Sequence, residues 1–176
     1  RKGNPNLKPQ FINSSELDYT FNAKKVMTNP GLYYKQTNNL MWRYLTINEG
    51  VNTVSFENIG TSYNIGLDWV TTYTPTKWLN TLTSINVFRN RMKGQIGTFT
   101  FDNSNLNANL KQTANFKIKK MVDLQFTYNY RTPFLSPQGQ SYIMQWLDMG
   151  ASMPVLKKKG TVTITLSDIF NTRRFG

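Results

Sequence analysis

The acidic side chains are the groups in this sequence that could carry acid–base chemistry or hold a metal ion. Nine Asp and Glu residues stand against 21 Lys and Arg, and the chain contains neither His nor Cys. Zinc sites and Ser-His or Cys-His catalysis therefore lack their usual ligands and bases. Ser167, followed by Asp168, has no base near it in sequence to activate a nucleophile. The sequence thus predicts no catalytic site, no metal and no cofactor, in a protein that is not an enzyme.

Two groups of polar side chains are candidates for binding instead. Arg89, Arg91 and Lys93 lie in a predicted loop, residues 89–103, and could meet an anionic ligand or lipopolysaccharide, although a solvated loop is the simpler interpretation. The second group alternates with apolar residues, so its members share one face of extended strands. Its acidic members either contact a ligand or pair with Lys and Arg of the same face, and we favour the pairing. This second group comprises Asp18, Asp68, Asn107, Asn109, Lys111, Asp123, Arg131 and Asp148.

The net charge of +12 raises the question of nucleic-acid binding. Many of the basic residues fall in short turns, at residues 24–25, 117–120 and 157–159. No nucleic-acid recognition motif accompanies them. The charge is therefore interpreted as solvated turns, and no nucleic-acid partner is expected.

Alternation with a period of two governs the chain and predicts an all-β protein. In residues 122–132, Val122, Leu124 and Phe126 share a face opposite Asp123 and Gln125. No run of about 18 apolar residues suggests a transmembrane helix. About eight antiparallel strands are predicted, at 11–23, 26–43, 52–73, 78–92, 103–118, 121–133, 142–155 and 160–171.

The connections between these strands alternate in length, which favours a transmembrane β-barrel wall. Short turns are predicted at 22–25, 74–77, 117–120 and 157–160, and longer links at 37–52, 89–103 and 132–141. Barrels of the outer membrane have short periplasmic turns and longer external loops. The apolar faces would contact lipid, because Lys or Arg on such a face costs about 2–4 kcal/mol near mid-bilayer. The predicted lipid-facing residues are Leu17, Tyr19, Phe21, Ile65, Leu67, Trp69, Leu110, Leu124, Phe126, Tyr128, Met149, Val162, Ile164 and Leu166.

A soluble β-sandwich also alternates, with one face on its core. The predicted strands are longer than the usual five to six or so residues, which favours the barrel. Aromatic residues near the strand ends add support, because barrels carry an interfacial girdle at both membrane surfaces. The predicted girdle has Tyr19, Phe21, Trp69, Tyr73, Trp78 and Phe116 at the short-turn end, and Trp42, Tyr130 and Trp146 at the other.

Several motifs, in order along nearly the whole chain, resemble the barrel of TonB-dependent receptors, particularly Bacteroidetes-type outer-membrane β-barrel members. Residues 3–10 resemble the GNPxLKPE element, with Gln10 in place of Glu, and residues 14–21 resemble the strand that follows it, with Asp18 in place of Gly. Further stretches that resemble family motifs are 56–60, 63–68, 76–78, 132–140 and 166–175.

This resemblance implies a barrel of about 22 strands closed around an N-terminal plug. Residues 1–176 would form a partial barrel domain, without the plug and the final strands, as the start at Arg1 also suggests. The implied function is nutrient uptake across the outer membrane, with TonB, the plug and outer-membrane lipid or lipopolysaccharide as partners, and a surface lipoprotein as a further candidate. Two alternatives stay open: a non-transporting barrel that acts as scaffold subunit of a surface complex, and a complete small barrel of eight strands.

Overall fold

A computed structural model describes residues 4–48, 51–118, 121–136 and 139–173. They form one long antiparallel sheet with the order β1-β3-β6-β7-β8-β9-β12-β13, in which β2 also pairs with β3, and two small two-stranded sheets. Within these ranges no helix is long and apolar enough to span a membrane. The strands are β1 (Phe11–Asp18), β2 (Phe21–Asn22), β3 (Val26–Asn38), β4 (Met41–Asn48), β5 (Val51–Asn58), β6 (Gly60–Thr76), β7 (Leu79–Ile96), β8 (Phe99–Ile118), β9 (Val122–Arg131), β10 (Leu135–Ser136), β11 (Gly139–Gln140), β12 (Met144–Val155) and β13 (Gly160–Leu166), with a 3₁₀ turn at Leu156–Lys158.

The two ends of the sheet differ in their connections, as the sequence predicts. At one end, β2 and β3, β6 and β7, β8 and β9, and β12 and β13 are joined by short turns. At the other end, the β3–β6 connection carries the β4–β5 hairpin and the β9–β12 connection carries β10 and β11. Lys119 and Lys120, which are part of one predicted short turn, lie outside the described residues.

The predicted loop at residues 89–103 is wrong. β7 continues to Ile96 and β8 begins at Phe99, so the two strands pair along their whole length. They are joined through Gly97, whose φ of 58° suits a glycine in a tight hairpin turn. Arg89, Arg91 and Lys93 therefore lie in a strand, not in a loop. The sequence pattern does not reveal this strand because its outer half carries cations on one face and a mixture of Asn90, Met92 and Gly94 on the other.

Residues 37–73 also depart from the predicted strands. The predicted long link at 37–52 contains β4, and the predicted strand at 52–73 is divided into β5 and β6. The division falls at Ile59 and Gly60, where Gly60 has a φ of 142°. A Cβ at Gly60 would meet the backbone oxygen of Lys93, so only glycine lets the two strands approach here. A side chain there would push β5 and β6 away from β7.

The register divides the main sheet into an apolar face and a polar face. Opposite residues in paired strands point to the same side, and Leu17, Leu32, Leu67 and Val87 form one such row. The polar Gln112 on this side accepts a hydrogen bond from Thr83 at 2.6 Å. The apolar face carries every residue predicted to face lipid, namely Leu17, Tyr19, Phe21, Ile65, Leu67, Trp69, Leu110, Leu124, Phe126, Tyr128, Met149, Val162, Ile164 and Leu166.

Burial on the two faces is inverted relative to a water-soluble sheet. On the apolar face Leu17 is 72% exposed, Leu106 67% and Ile164 62%. On the polar face Asn107 is only 4% exposed and Asn90 7%. A soluble sandwich would cover its apolar face with a second layer, and none of the described residues forms one. The predicted two-sided wall therefore matches the structure better than the sandwich does.

The main sheet does not close on itself in this chain. Its order ends at β1 on one side and at β13 on the other, and these two strands do not pair with each other in the described part of the chain. The complete small barrel of eight strands is therefore not what the structure contains. Further strands are needed to satisfy both edges in a membrane, because lipid offers no hydrogen-bond partner.

A small buried cluster fixes the β4–β5 hairpin to the outer part of β7 and β8. Ile59, Met92 and Phe101 form its centre, with Leu40, Trp42 and Ile96 packed against it. By register Met92 and Phe101 belong to the polar face, so the hairpin base covers that side of the sheet. Trp42, predicted to belong to the interfacial girdle, instead contributes to this cluster. Its position is a correction to the sequence prediction.

Candidate functional site

The polar face of the main sheet is the candidate functional surface. All the residues predicted for a wet interior lie on it, as their register shows. Their predicted contact with a ligand or a plug is a separate question, which the register does not address. The residues placed on this face are Asp18, Asp68, Asn107, Asn109, Lys111, Asp123, Arg131 and Asp148.

An amide cluster joins β6 and β7 at the middle of this face. Asn90 donates to the side-chain oxygen of Asn64 at 2.6 Å and to the hydroxyl of Ser62 at 3.2 Å. Asn64 also donates to Ser62 at 3.3 Å. Because a buried amide without partners costs about 1–3 kcal/mol, this mutual bonding explains how Asn90 is tolerated in a buried position.

A second cluster centres on Asp68 and Asn86. Asn86 donates to the Asp68 carboxylate at 2.6 Å and to the Tyr33 hydroxyl at 3.1 Å, while Asn109 donates to Asn86 at 3.3 Å. The Tyr33 ring reaches Asn86 by crossing Gly66, where a Cβ would lie 2.6 Å from the ring. Gly66 is therefore required for the close approach of this ring to the sheet.

A third cluster surrounds Asp148 and Trp146 near the end with long connections. Asp148 accepts hydrogen bonds from the Trp146 indole at 3.0 Å and from the backbone N–H of Asp168 at 2.9 Å. The Trp146 ring also meets two guanidinium groups, Arg173 at 4.2 Å and Arg131 at 5.6 Å from its centre. Trp146 thus lies on the polar face, and its predicted place in a lipid-facing girdle is wrong. It packs there because cations are attracted to the indole face.

The ion pairing predicted for the acidic residues of this face is found at none of the four positions within the described residues. In the described structure, the partners of Asp68 and Asp148 are amides, an indole and a backbone N–H rather than Lys or Arg. Asp123 does lie directly across from Lys117 in the register, and Asp18 lies across from Gly31. Hydrogen bonds from neutral donors satisfy a carboxylate without the side-chain ordering that a long Lys or Arg requires.

Two hollows on the polar face differ in charge. One is lined by Glu16, Asp18 and Asp68 together with Lys35 and Tyr33, between β1, β3 and β6. The other is lined by Lys111 and Arg131 with amides from β7, β8 and β9. The face therefore offers carboxylates on one side and cations on the other. Such a surface can bind polar solutes.

A metal ion finds no preformed site in the part of the chain that the structure describes. No group of three or more Asp, Glu, His or Cys side chains is close enough to hold one there. The acidic hollow contains carboxylates from two strands, β1 and β6, but their geometry does not bring them to a common point.

The outward half of the β7–β8 hairpin carries a different cluster, on the side that continues the apolar face. Arg91 donates to both oxygens of Asp102 at 2.8 Å, and the Lys93 amine lies 3.5 Å from the same carboxylate. The Arg91 guanidinium holds the pKa of Asp102 at about 2, well below its usual value, and the carboxylate in turn raises the pKa of Arg91. Asp102 is therefore ionised at any physiological pH. Arg89 donates instead to the Ser104 hydroxyl at 3.0 Å.

Asn58 fastens the N-terminal segment to the base of the β4–β5 hairpin. Its side chain accepts from the Lys8 backbone N–H at 2.7 Å and donates to the carbonyls of Lys8 at 3.0 Å and Asn39 at 2.8 Å. Gln10 extends the contact by accepting from the Met41 N–H at 3.0 Å. The motif at residues 3–10 thus has a structural role, which is to close one side of the hairpin base.

Asn58→Ala should release this segment. Removing one well-made hydrogen bond costs about 1 kcal/mol, so exchange of the Lys8 amide should accelerate roughly fivefold. Hydrogen–deuterium exchange on the full-length protein in detergent micelles measures this. Asn6→Ala is the matched control, since the Asn6 side chain makes no hydrogen bond within the described ranges. Unchanged exchange at Lys8 in Asn58→Ala would show that the segment is held by something else.

The sequence matches a known protein family. The family model described as "Outer membrane protein beta-barrel family" matches residues 1–176, which is the whole chain. No curated protein matches it.

Proposed function

The chain belongs to the outer membrane protein beta-barrel family, and from this premise we propose that it is the barrel portion of a TonB-dependent receptor that takes up nutrients. The membership itself gives the location, the outer membrane, and the architecture, an antiparallel barrel wall that this chain does not close. Nutrient transport, the plug and TonB go beyond the family and are the proposal.

The inverted burial of the two faces is the observation that carries the proposal. The apolar face, with Leu17, Leu106 and Ile164 largely exposed, suits contact with lipid. The opposite face then lines the interior, and its amides and charges suit a wet lumen. Small barrels of about eight strands fill their interior with their own side chains. Here the main order has eight strands and remains open, which supports a wider completed barrel with room for a plug.

The polar face carries negative charge in one part and positive charge in another. This arrangement favours an interior through which a solute passes rather than one that is permanently filled. The hollow with Glu16, Asp18 and Asp68 and the hollow with Lys111 and Arg131 present opposite charges to the same interior. A plug domain with complementary charges could rest on both and leave when pulled by TonB. Glycans, peptides and iron chelates are the substrate classes that the sequence resemblance suggests.

A scaffold subunit of a surface complex is the second candidate. The β4–β5 hairpin and the outer part of β7–β8 extend the wall beyond what a bilayer crossing requires. An extended hydrated surface of this kind suits a bound partner such as a surface lipoprotein. Both functions place the chain in the outer membrane, and they differ in their need for energy from TonB.

Growth on single nutrients separates the two functions. We expect deletion of the full gene to abolish growth on one nutrient class as sole source, and deletion of TonB to abolish growth on the same class. Resupplying the intact gene should restore growth only in cells that contain TonB. If deletion of the gene disrupts a surface complex while loss of TonB has no effect on it, the scaffold function is correct and transport is not.

A further inference from the structure

The outward-pointing face of β7 changes from apolar to basic along its length. By register, Ile85, Val87, Arg89, Arg91 and Lys93 all lie on the same side of the sheet. Ile85 and Val87 lie beside Trp69 and Leu67 of β6. The three basic residues follow on the same side of β7, beyond these apolar residues. The basic side chains thus lie on the outer wall and not in the interior.

The length of β7 places this change at one surface of the membrane. About ten residues of a tilted strand cross a bilayer, and the apolar band of a barrel is about 25 Å tall. Counted from Leu79 beside the short turn, the crossing ends near Phe88. Arg89 then lies at the upper edge of the band, with Arg91 and Lys93 roughly 5 and 10 Å farther out. Because short turns are periplasmic, this edge belongs to the outer leaflet.

The charge of the cluster is incompletely compensated. The cluster holds three cations, Arg89, Arg91 and Lys93, and one carboxylate, Asp102, which contacts only Arg91 and Lys93, so two positive charges remain. Among the described residues Arg89 has no acidic partner, since its Nε donates to Ser104 and leaves the outer edge of the guanidinium open. Directly beside Arg89 in the register lie Ile65 and Leu106, both highly exposed apolar side chains.

We propose that this surface, formed by Arg89, Arg91, Lys93, Ile65 and Leu106, binds the phosphorylated headgroup of lipopolysaccharide in the outer leaflet. The guanidinium of Arg89 and the amine of Lys93 contact a lipid A phosphate, and Ile65 and Leu106 contact the acyl chains below it. Phosphate matches the planar guanidinium through paired, charge-assisted hydrogen bonds. Asp102 limits the affinity because it already occupies Arg91. The inference rests on the proposed lipid-facing orientation but not on transport.

Titration of the purified full-length protein with bisphosphorylated lipid A in detergent micelles tests the proposal. Arg89→Gln and Lys93→Gln should each weaken binding about tenfold, the equivalent of one charge-assisted hydrogen bond. Asp102→Asn should strengthen binding severalfold, because it removes the competing carboxylate. Lys35→Gln is the matched control: Lys35 lies across from Asn64 on the opposite face, at the height of Arg89, and its loss should leave binding unchanged.

Three results would overturn the proposal. Equal affinity for dephosphorylated lipid A would show that the acyl chains alone are recognised. Inorganic phosphate that competes as well as lipid A would indicate a free-anion site. An effect of Lys35→Gln equal to that of Arg89→Gln would show that the net charge of the protein, and not this surface, attracts the lipid. None of these measurements depends on TonB, so their results test the lipid-binding proposal independently of nutrient uptake.

Discussion

Ile85→Arg is expected to destabilise the membrane-inserted full-length protein by about 2–4 kcal/mol, which is the cost of Arg at mid-bilayer on a barrel wall. Ile85 lies between Trp69 and Leu110 in the register and near the middle of the β7 crossing. Its replacement puts a guanidinium into hydrocarbon. That loss is a large share of the 5–15 kcal/mol or so that stabilises a typical domain.

Leu82→Arg is the matched control for this prediction. Leu82 is on the same strand, is also aliphatic and lies across from Thr113 and Thr72 on the polar face. Arg there meets water and hydroxyl groups, so we expect a change of about 0.5 kcal/mol or less. Equilibrium urea unfolding in lipid vesicles measures both variants. If Leu82→Arg is the more damaging of the two, the faces are assigned the wrong way round.

The chain of residues 1–176 alone is expected to yield almost no folded monomer in detergent or lipid. β1 and β13, of eight and seven residues, would each expose a row of unpaired backbone groups. Each unsatisfied group in hydrocarbon costs several kcal/mol, so a few of them exceed the stability that such a sheet can gain. The isolated chain should aggregate edge to edge, as open sheet edges do.

Heat modifiability on semi-native gels measures this outcome. A longer chain that completes the barrel should run as a compact species that unfolds on boiling. The isolated chain should show no such species at any lipid composition. A heat-modifiable monomer of the isolated chain, with slow hydrogen exchange along both β1 and β13, would mean that these strands pair and that the sheet closes on itself.

The membrane-crossing half of the wall could be predicted from sequence almost residue by residue. In β8 and β9 the apolar residues Leu110, Phe116, Leu124 and Phe126 share a face as the alternation indicates. Hydrocarbon on one side and water on the other penalise every misplaced residue. Alternation in these segments is therefore broken on the apolar side only at Gln112, and sequence alone reveals it.

Beyond the bilayer the same penalty no longer applies, and the predictions fail there. The outer part of β7 alternates between cations and the residues Asn90, Met92 and Gly94, a period of two that an apolar pattern does not detect. The glycine at position 97 was the sequence signal for a tight hairpin turn, and in the structure its φ is positive. Trp146 was misassigned although its neighbour Leu147 belongs to the apolar face, so parity alone places the indole on the polar side.

The contacts within the candidate site required the register, which sequence does not provide. Asp68 and Asn86 are 18 positions apart and meet only because β6 and β7 pair in one particular alignment. Asn64 and Asn90 depend on the same alignment. Sequence could say which residues share a surface but not which of them touch.

The β7–β8 hairpin gives the outer edge of the barrel wall an uneven height. From Arg89 to Ile96 the strand climbs eight further residues, roughly 20–25 Å when it is tilted, above the level where the lipid ends. A large molecule that approaches from outside the cell would contact this projecting hairpin before it reaches the lower parts of the rim.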